Sequence, residues 1–220
     1  MLGDLWSFQG RYRTLHLTWF AFFLTFVVWF NLAPLATTVR ADLNLDIGQI
    51  RTVAICNVAL TIPARVLIGM LLDKFGPRIT YSSILVFSAI PCLLFALAQD
   101  FNQLVVARLL LSIVGAGFVI GIRMVAEWFP PKEIGLAEGI YGGWGNFGSA
   151  FSALTMVALA GFLSFSGGFT LPTGDILNWR GAIALSGIVS AVYGVFYFFS
   201  VTDTPPGKSY QRPARTAGLE

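Results

Sequence analysis

Apolar residues in this chain gather into six runs, roughly 16–37, 50–72, 80–98, 103–124, 137–163 and 180–201, each bounded by polar or turn-forming residues. About 20 apolar residues in helical form cross the ~30 Å hydrocarbon core of a bilayer. Each run therefore predicts one membrane-crossing helix. Strands of a membrane barrel would alternate apolar and polar positions, which these runs do not. Because backbone groups in lipid must pair internally, the predicted fold class is an all-α membrane protein with six transmembrane helices. The first run is too long for a secretion-signal core and runs into "NLAPLATTVRADL" without a small-residue cleavage pattern, so it predicts a retained helix.

Within the runs, two prolines mark expected irregularities. Pro34 in "WFNLAPLA" removes a backbone hydrogen bond and predicts a bend or stop near the end of the first helix. Pro63 stands two residues before Arg65 in "TIPARVLIGMLLD". The prolines of "EWFPPKEIGLAEG" separate the fourth and fifth helices, with Glu138 suited to a helix start. Residues 1–201 form the expected six-helix domain, and residues 202–220 a flexible, basic cytoplasmic linker.

Composition agrees: 56% of the 220 residues are hydrophobic, 11% are charged, and mean hydropathy is +0.74. Arg11, Arg13, Lys74, Arg78, Arg123, Lys132, Lys208, Arg212 and Arg215 fall at one set of helix ends, against Arg40, Arg51, Arg108 and Arg180 at the other. Nine against four predicts that both termini are cytoplasmic, in a multi-pass protein of the cell (inner or plasma) membrane. The net charge of +3 then reflects orientation in the lipid bilayer, and no basic patch points to nucleic acid. Cys56 and Cys92 lie in apolar runs without metal-ligand spacing, and His16 is the single histidine. That count excludes a haem bundle with paired His ligands and a His-dependent intramembrane protease. No cofactor is called for, and the chain is not expected to be an enzyme.

Arg65 is the charge that the apolar pattern does not explain. With the second helix centred near residue 61, Arg65 lies ~6 Å to the cytoplasmic side of the middle. An isolated charge at that depth costs about 2.5–3.5 kcal/mol or more. Every Asp and Glu falls in a tail, a loop or a helix end, so the expected partner is an external anion, water or another chain. The alternative is that Arg65 snorkels to the cytoplasmic interface.

The fifth run holds the matching anomaly, "YGGWGNFGSA". Gly139 and Gly143 form a GxxxG pair, and glycines let a neighbouring helix approach closely. Gly117 and Gly121 on the fourth helix carry the same expectation. Asn146 would be unsatisfied in an apolar groove, yet at the inferred depth of Arg65 its amide could donate to an anion held there. A guanidinium fork matches a planar oxyanion such as nitrate or nitrite.

The run Gly69, Asp73, Lys74, Gly76, Pro77, Arg78 resembles the GxLxDrxGxR loop motif of the major facilitator superfamily. Arg108 and Gly115 resemble its helix 4 pattern more loosely. "GGWGNFGS" with the arginine after Pro63 is similar to the nitrate/nitrite porter family, and the whole chain to its cyanobacterial members. The resemblance implies the N-terminal six-helix bundle of a transporter that works by alternating access around a nitrate or nitrite site. It implies that Arg65 coordinates the anion, and that Gly143, Gly145, Asn146 and Gly148 belong to the glycine signature of the site. Asp73, Lys74 and Arg78, with Arg123 or Glu127, would latch the cytoplasmic side. Family members have twelve helices, so a C-terminal six-helix half is the implied partner. Transport of another small oxyanion such as organic phosphate, or a non-transporting membrane scaffold, remain alternative expectations.

Overall fold

A computed structural model describes residues 7–171 and 173–210. Among them, six helical stretches are long and apolar enough to cross a membrane. The first span comprises α1 (Gly10–Phe30) and α2 (Ala36–Asp42), the second α3 (Ile47–Ala59) and α4 (Thr61–Phe75), and the third α5 (Pro77–Phe87) and α6 (Ala89–Leu97). The fourth comprises α7 (Phe101–Ser112) and α8 (Gly117–Trp128), the fifth α9 (Ile134–Phe162), and the sixth α10 (Trp179–Ser200). An antiparallel hairpin, β1 (Phe169–Thr170) paired with β2 (Ile176–Leu177), joins the last two. The first, second, fourth and fifth spans run several residues beyond the apolar runs, because a helix that has crossed the hydrocarbon continues into the polar interface.

Each of the first four spans is broken along its length. Pro34 sits in a 3-10 turn, Ala33–Leu35, after which the helix resumes, so the first span is interrupted there without ending. Pro63 and Pro91 sit in the first turns of α4 and α6, where a missing N–H leaves no intrahelical bond unmade. The fourth span breaks through a 3-10 turn at Ile113–Ala116.

Broken helices release backbone groups that lipid cannot satisfy, and polar side chains take them up. Ser112 Oγ accepts from the Leu60 N–H (3.3 Å), and Thr61 Oγ1 donates to the Ser112 carbonyl (3.3 Å). Trp29 Nε1 donates to the Asn57 carbonyl (2.7 Å), and Asn57 Nδ2 returns a bond to the Trp29 carbonyl (2.9 Å). Asn31 Nδ2 donates to Ser186 Oγ (3.0 Å), and the Ser88 and Ser190 hydroxyls lie 2.9 Å apart. These bonds tie all the spans but the fifth into one buried polar layer.

Packing is uneven around the bundle. α1 runs along α9, α10 along α5 and α6, and α3 along α7. The most apolar windows of the second and fifth spans are only 28% and 22% buried, against 61% for the first span and 56% for the third and fourth. Both of these helices are therefore left largely bare. After the sixth span, residues 202–210 fold back across the ends of the second to fourth spans. Residues 211–220, with Arg212 and Arg215, lie outside the described part.

Candidate functional site

The glycine signature of α9 divides into two faces. Gly145 and Gly148 are buried against α1. A Cβ on Gly145 would lie 1.7 Å from Phe22 Cδ1, and one on Gly148 would lie 2.2 Å from the Phe23 carbonyl oxygen. Gly121 on α8 makes the same provision for Tyr141, whose ring would be 2.1 Å from an added Cβ. Tyr141 in turn stacks on Phe22 and donates to the Phe118 carbonyl at 3.0 Å. These glycines let the first, fourth and fifth spans close on one another.

Beside Gly135, Gly139, Gly142 and Gly143, a Cβ would meet nothing within 4 Å. Gly135, Gly139 and Gly143, at helical spacing, join Leu136, Trp144 and Phe147 along an open groove of about 630 Å³. The GxxxG pair Gly139/Gly143 therefore packs against no helix among the described residues, unlike Gly117 and Gly121. Asn146 is exposed too, and its Nδ2 donates to the Gly142 carbonyl of its own helix at 2.7 Å. Glu138, expected at a helix start, lies inside α9, with one carboxylate oxygen buried and unpartnered among the described residues.

The buried cation is not Arg65. That side chain is exposed on α4 between Ile62 (77% exposed) and Val66 (66%), and it has no hydrogen bond or ion pair among the described residues. Arg65 and Asn146 occupy separate helices with no bond between them: α4 packs on α5, α8 and the 113–116 turn, and α9 on α1, α8 and α10. Arg108, counted from the sequence with the arginines at helix ends, is instead 1% exposed. It donates to Asn31 Oδ1 (3.1 Å) and Asn57 Oδ1 (3.4 Å), and its guanidinium lies 4.7 Å from the Phe95 ring centroid. The spacing from Arg108 to Gly115 was the available signal. A Cβ on Gly115 would come within 2.7 Å of the Trp29 ring, the ring that bonds Asn57.

The loop motif is held by residues far along the chain. Gly76 has φ +84°, and an added Cβ would lie 2.7 Å from Asp203 Oδ1, so only glycine fits on both counts. Asp203 Oδ1 accepts from the Arg78 N–H at 2.7 Å, capping α5 from outside the helix. Trp128 Nε1 donates to the Thr202 carbonyl (3.1 Å) and Tyr210 Oη to the Leu72 carbonyl (3.1 Å). Burial raises the Tyr210 phenol above its ordinary pKa, with Arg123 opposing the shift. Arg123 pairs with Glu127 at 2.9 Å and faces the Tyr210 ring. Asp73 and Lys74 are exposed, Gly69 has open space beside it, and Arg78 lies over Phe198 at 4.3 Å. Sequence spacing named the loop residues but missed Asp203 and Tyr210, since nothing local ties them to a turn more than 100 residues earlier.

Residues 18–219 match the family model described as Major Facilitator Superfamily. Across its full length the chain is 62% identical to the nitrate/nitrite transporters NrtP of Picosynechococcus sp. and Nostoc punctiforme, and it covers 44% and 43% of them. It is 30% identical to a probable nitrate/nitrite antiporter, NarK1, of Thermus thermophilus, over 90% of this chain and 44% of that protein. The chain thus spans less than half the length of these relatives. Among solved structures, a bacterial homologue of the human lysosomal transporter Spinster, inward-facing and occupied, superposes with a TM-score of 0.68 at 20% identity. That match covers 90% of this chain and 45% of the other, and it bears on the fold alone.

Proposed function

We propose, from the premise that this chain belongs to the Major Facilitator Superfamily, that it is the N-terminal bundle of a nitrate/nitrite transporter working by alternating access. The observation that carries this reading is Arg65: an exposed guanidinium without a partner among the described residues, on one of the two least buried spans of a membrane bundle. Left in lipid, such a charge is costly. Covered by a second six-helix half, it lines a cavity, where its planar fork meets a planar oxyanion. The 62% identity to nitrate/nitrite transporters more than twice this length supports both the anion and the second half.

In this mechanism the two halves rock about the anion near mid-membrane. Arg65 supplies charge and paired hydrogen bonds. Asn146 turns its amide from the Gly142 carbonyl toward the anion when the second half arrives. Gly143 leaves room for close approach, while Gly145 and Gly148 fix α9 against α1 and so set where Asn146 stands. The excess of Lys and Arg at one end supports cytoplasmic termini. There Asp73, Lys74 and Arg78, braced by Asp203 and Tyr210, form the movable edge of the cytoplasmic gate.

The test is nitrate uptake by the full-length transporter carrying Arg65→Lys, which keeps the charge and loses the fork. Uptake is expected to fall at least about tenfold with membrane insertion unchanged. Near-normal uptake would remove Arg65 from the site. Expressed without a second half, residues 1–220 are expected to insert and transport nothing.

A further inference from the structure

On the face of the bundle formed by the third and sixth spans, an apolar groove of about 450 Å³ runs between α10 and the third span, from α5 to the start of α6. Its walls include Val86 and Ile90 on one side and Val195 and Phe198 on the other. The helices cross closely beside it, since a Cβ on Gly194 would lie 2.8 Å from Leu85 Cβ. Exposed apolar walls are ordinary for a lipid-facing surface. Two polar groups, one lining the groove and one against its Phe198 wall, are not.

Ser82 lines the groove, is 6% exposed, and its hydroxyl has no hydrogen-bond partner among the described residues. Arg78 lies one turn away on the same helix, its guanidinium 4.3 Å from the centroid of Phe198, which also lines the groove. No carboxylate among the described residues pairs with that guanidinium, and its Nε is buried and unpartnered. Asp203, the nearest acid in the bonding pattern, is engaged by the Arg78 backbone N–H.

Arg78, Ser82, Val86 and Ile90 recur every four residues, so they form one row along the third span. Read inward from the end of the span, the row is cation, hydroxyl, apolar, apolar. The first step is ~6 Å, and the row reaches Ile90 ~12 Å beyond Ser82 at helical rise. A glycerophospholipid has the same order: phosphate, glycerol ester, acyl chain. A neutral headgroup would leave the arginine unpaired, whereas an anionic one supplies the missing charge.

We infer that the groove between the third and sixth spans is a binding site for one anionic phospholipid, with its phosphate on Arg78, its ester region at Ser82 and an acyl chain along Val86 and Ile90. The inference requires only that the bundle sits in a bilayer. It holds whichever anion the protein moves. The occupied site would also brace the loop motif, because Arg78 is the residue whose backbone receives the Asp203 cap.

Native mass spectrometry of the purified full chain, reloaded with phosphatidylglycerol or phosphatidylcholine in detergent, tests this. One phosphatidylglycerol should survive stripping that removes phosphatidylcholine. Arg78→Gln should lower its retention about tenfold, as expected for a lost charge-assisted bond, and Val195→Trp, which fills the groove without touching the charge, should lower it comparably. Lys132→Gln, an exposed charge in the loop between the fourth and fifth spans, should leave retention unchanged. Circular dichroism melting of each variant separates lost binding from lost fold. Equal retention of both lipids, or unchanged phosphatidylglycerol retention in folded Arg78→Gln and Val195→Trp, would overturn the site. Displacement by millimolar inorganic phosphate, with Val195→Trp silent, would also overturn it, by showing that Arg78 holds a free oxyanion without a lipid.

Discussion

Gly145 and Gly148 meet α1 so closely that neither tolerates a Cβ, while Gly139 and Gly143, on the same helix, have open space beside them. One residue type thus meets two situations within ten residues. Where hydrophobic force between helices is absent, close approach is stabilised by dispersion and needs a small residue at the crossing. At Gly145 and Gly148 the approaching helix belongs to this bundle. At Gly139 and Gly143 the same small-residue spacing faces outward, on one of the two least buried spans. A glycine stripe in a membrane helix therefore reports a capacity for contact, and the fold decides which part of it is used.

The strongest way to break this contrast is Gly148→Leu. The obstructing atom is the Phe23 carbonyl oxygen, 2.2 Å from the new Cβ, and backbone cannot rotate aside as the Phe22 ring beside Gly145 can. Overpacking commonly costs about 1–3 kcal/mol, and a backbone clash belongs at or beyond the upper end. Gly148→Leu is expected to yield no monodisperse folded protein in detergent, with Gly145→Leu recovered at reduced melting temperature. Equal stability of Gly148→Leu and the parent would show that α1 and α9 are not in contact here.

Two arginines extend the comparison from backbone to charge. Arg108→Ala removes donors from the Asn31 and Asn57 oxygens, leaves a cavity beside Phe95, and is expected to destabilise by about 2–4 kcal/mol. Arg65→Ala, at an exposed position, should stay within about 0.5 kcal/mol. Chemical unfolding of both variants in the same detergent reads the difference. A smaller effect comes from Asp203→Ala, which removes the cap on α5 and should cost about 1 kcal/mol. Its local signature is faster tryptic cleavage after Lys208, as residues 202–210 loosen from the bundle.

These contrasts mark how much the sequence carried. Six apolar runs located six spans because the bilayer imposes length and polarity on every crossing helix. Pro34 marked a break because its effect on the backbone is local. The depth of a charge is different. Arg65 and Arg108 both stand in apolar surroundings along the chain, and only the packing of α7 among Asn31, Asn57 and Phe95 makes Arg108 the buried one. The cap from Asp203 is likewise invisible to local pattern, since it joins the start of α5 to the chain beyond α10. In the candidate site, the residue types of Arg65 and Asn146 and their places on the second and fifth helices were legible; that both side chains are exposed and that α4 and α9 do not pack on each other was not.

The smallest effect on the bundle is the most discriminating one. Gly139→Leu places an isobutyl group where nothing lies within 4 Å of a Cβ, so its Cβ meets no clash among the described residues and the rest of the side chain extends into the open groove. Replacing a helical glycine also recovers about 0.5–1 kcal/mol of backbone entropy and propensity. The isolated bundle should therefore melt at the same temperature or slightly higher, the opposite sign from Gly148→Leu on the same helix. If the bare face of the fifth span is the seat of a second six-helix half, the same leucine must obstruct that docking, because the groove of Gly135, Gly139 and Gly143 would then be filled. Co-expression with a matching C-terminal half, followed by affinity capture, reads this directly: recovery of the complex should fall at least about tenfold for Gly139→Leu while the bundle itself is recovered in full. Unchanged capture would mean that this groove faces lipid in the assembled transporter, and that the second half covers α4 and Arg65 without closing over α9.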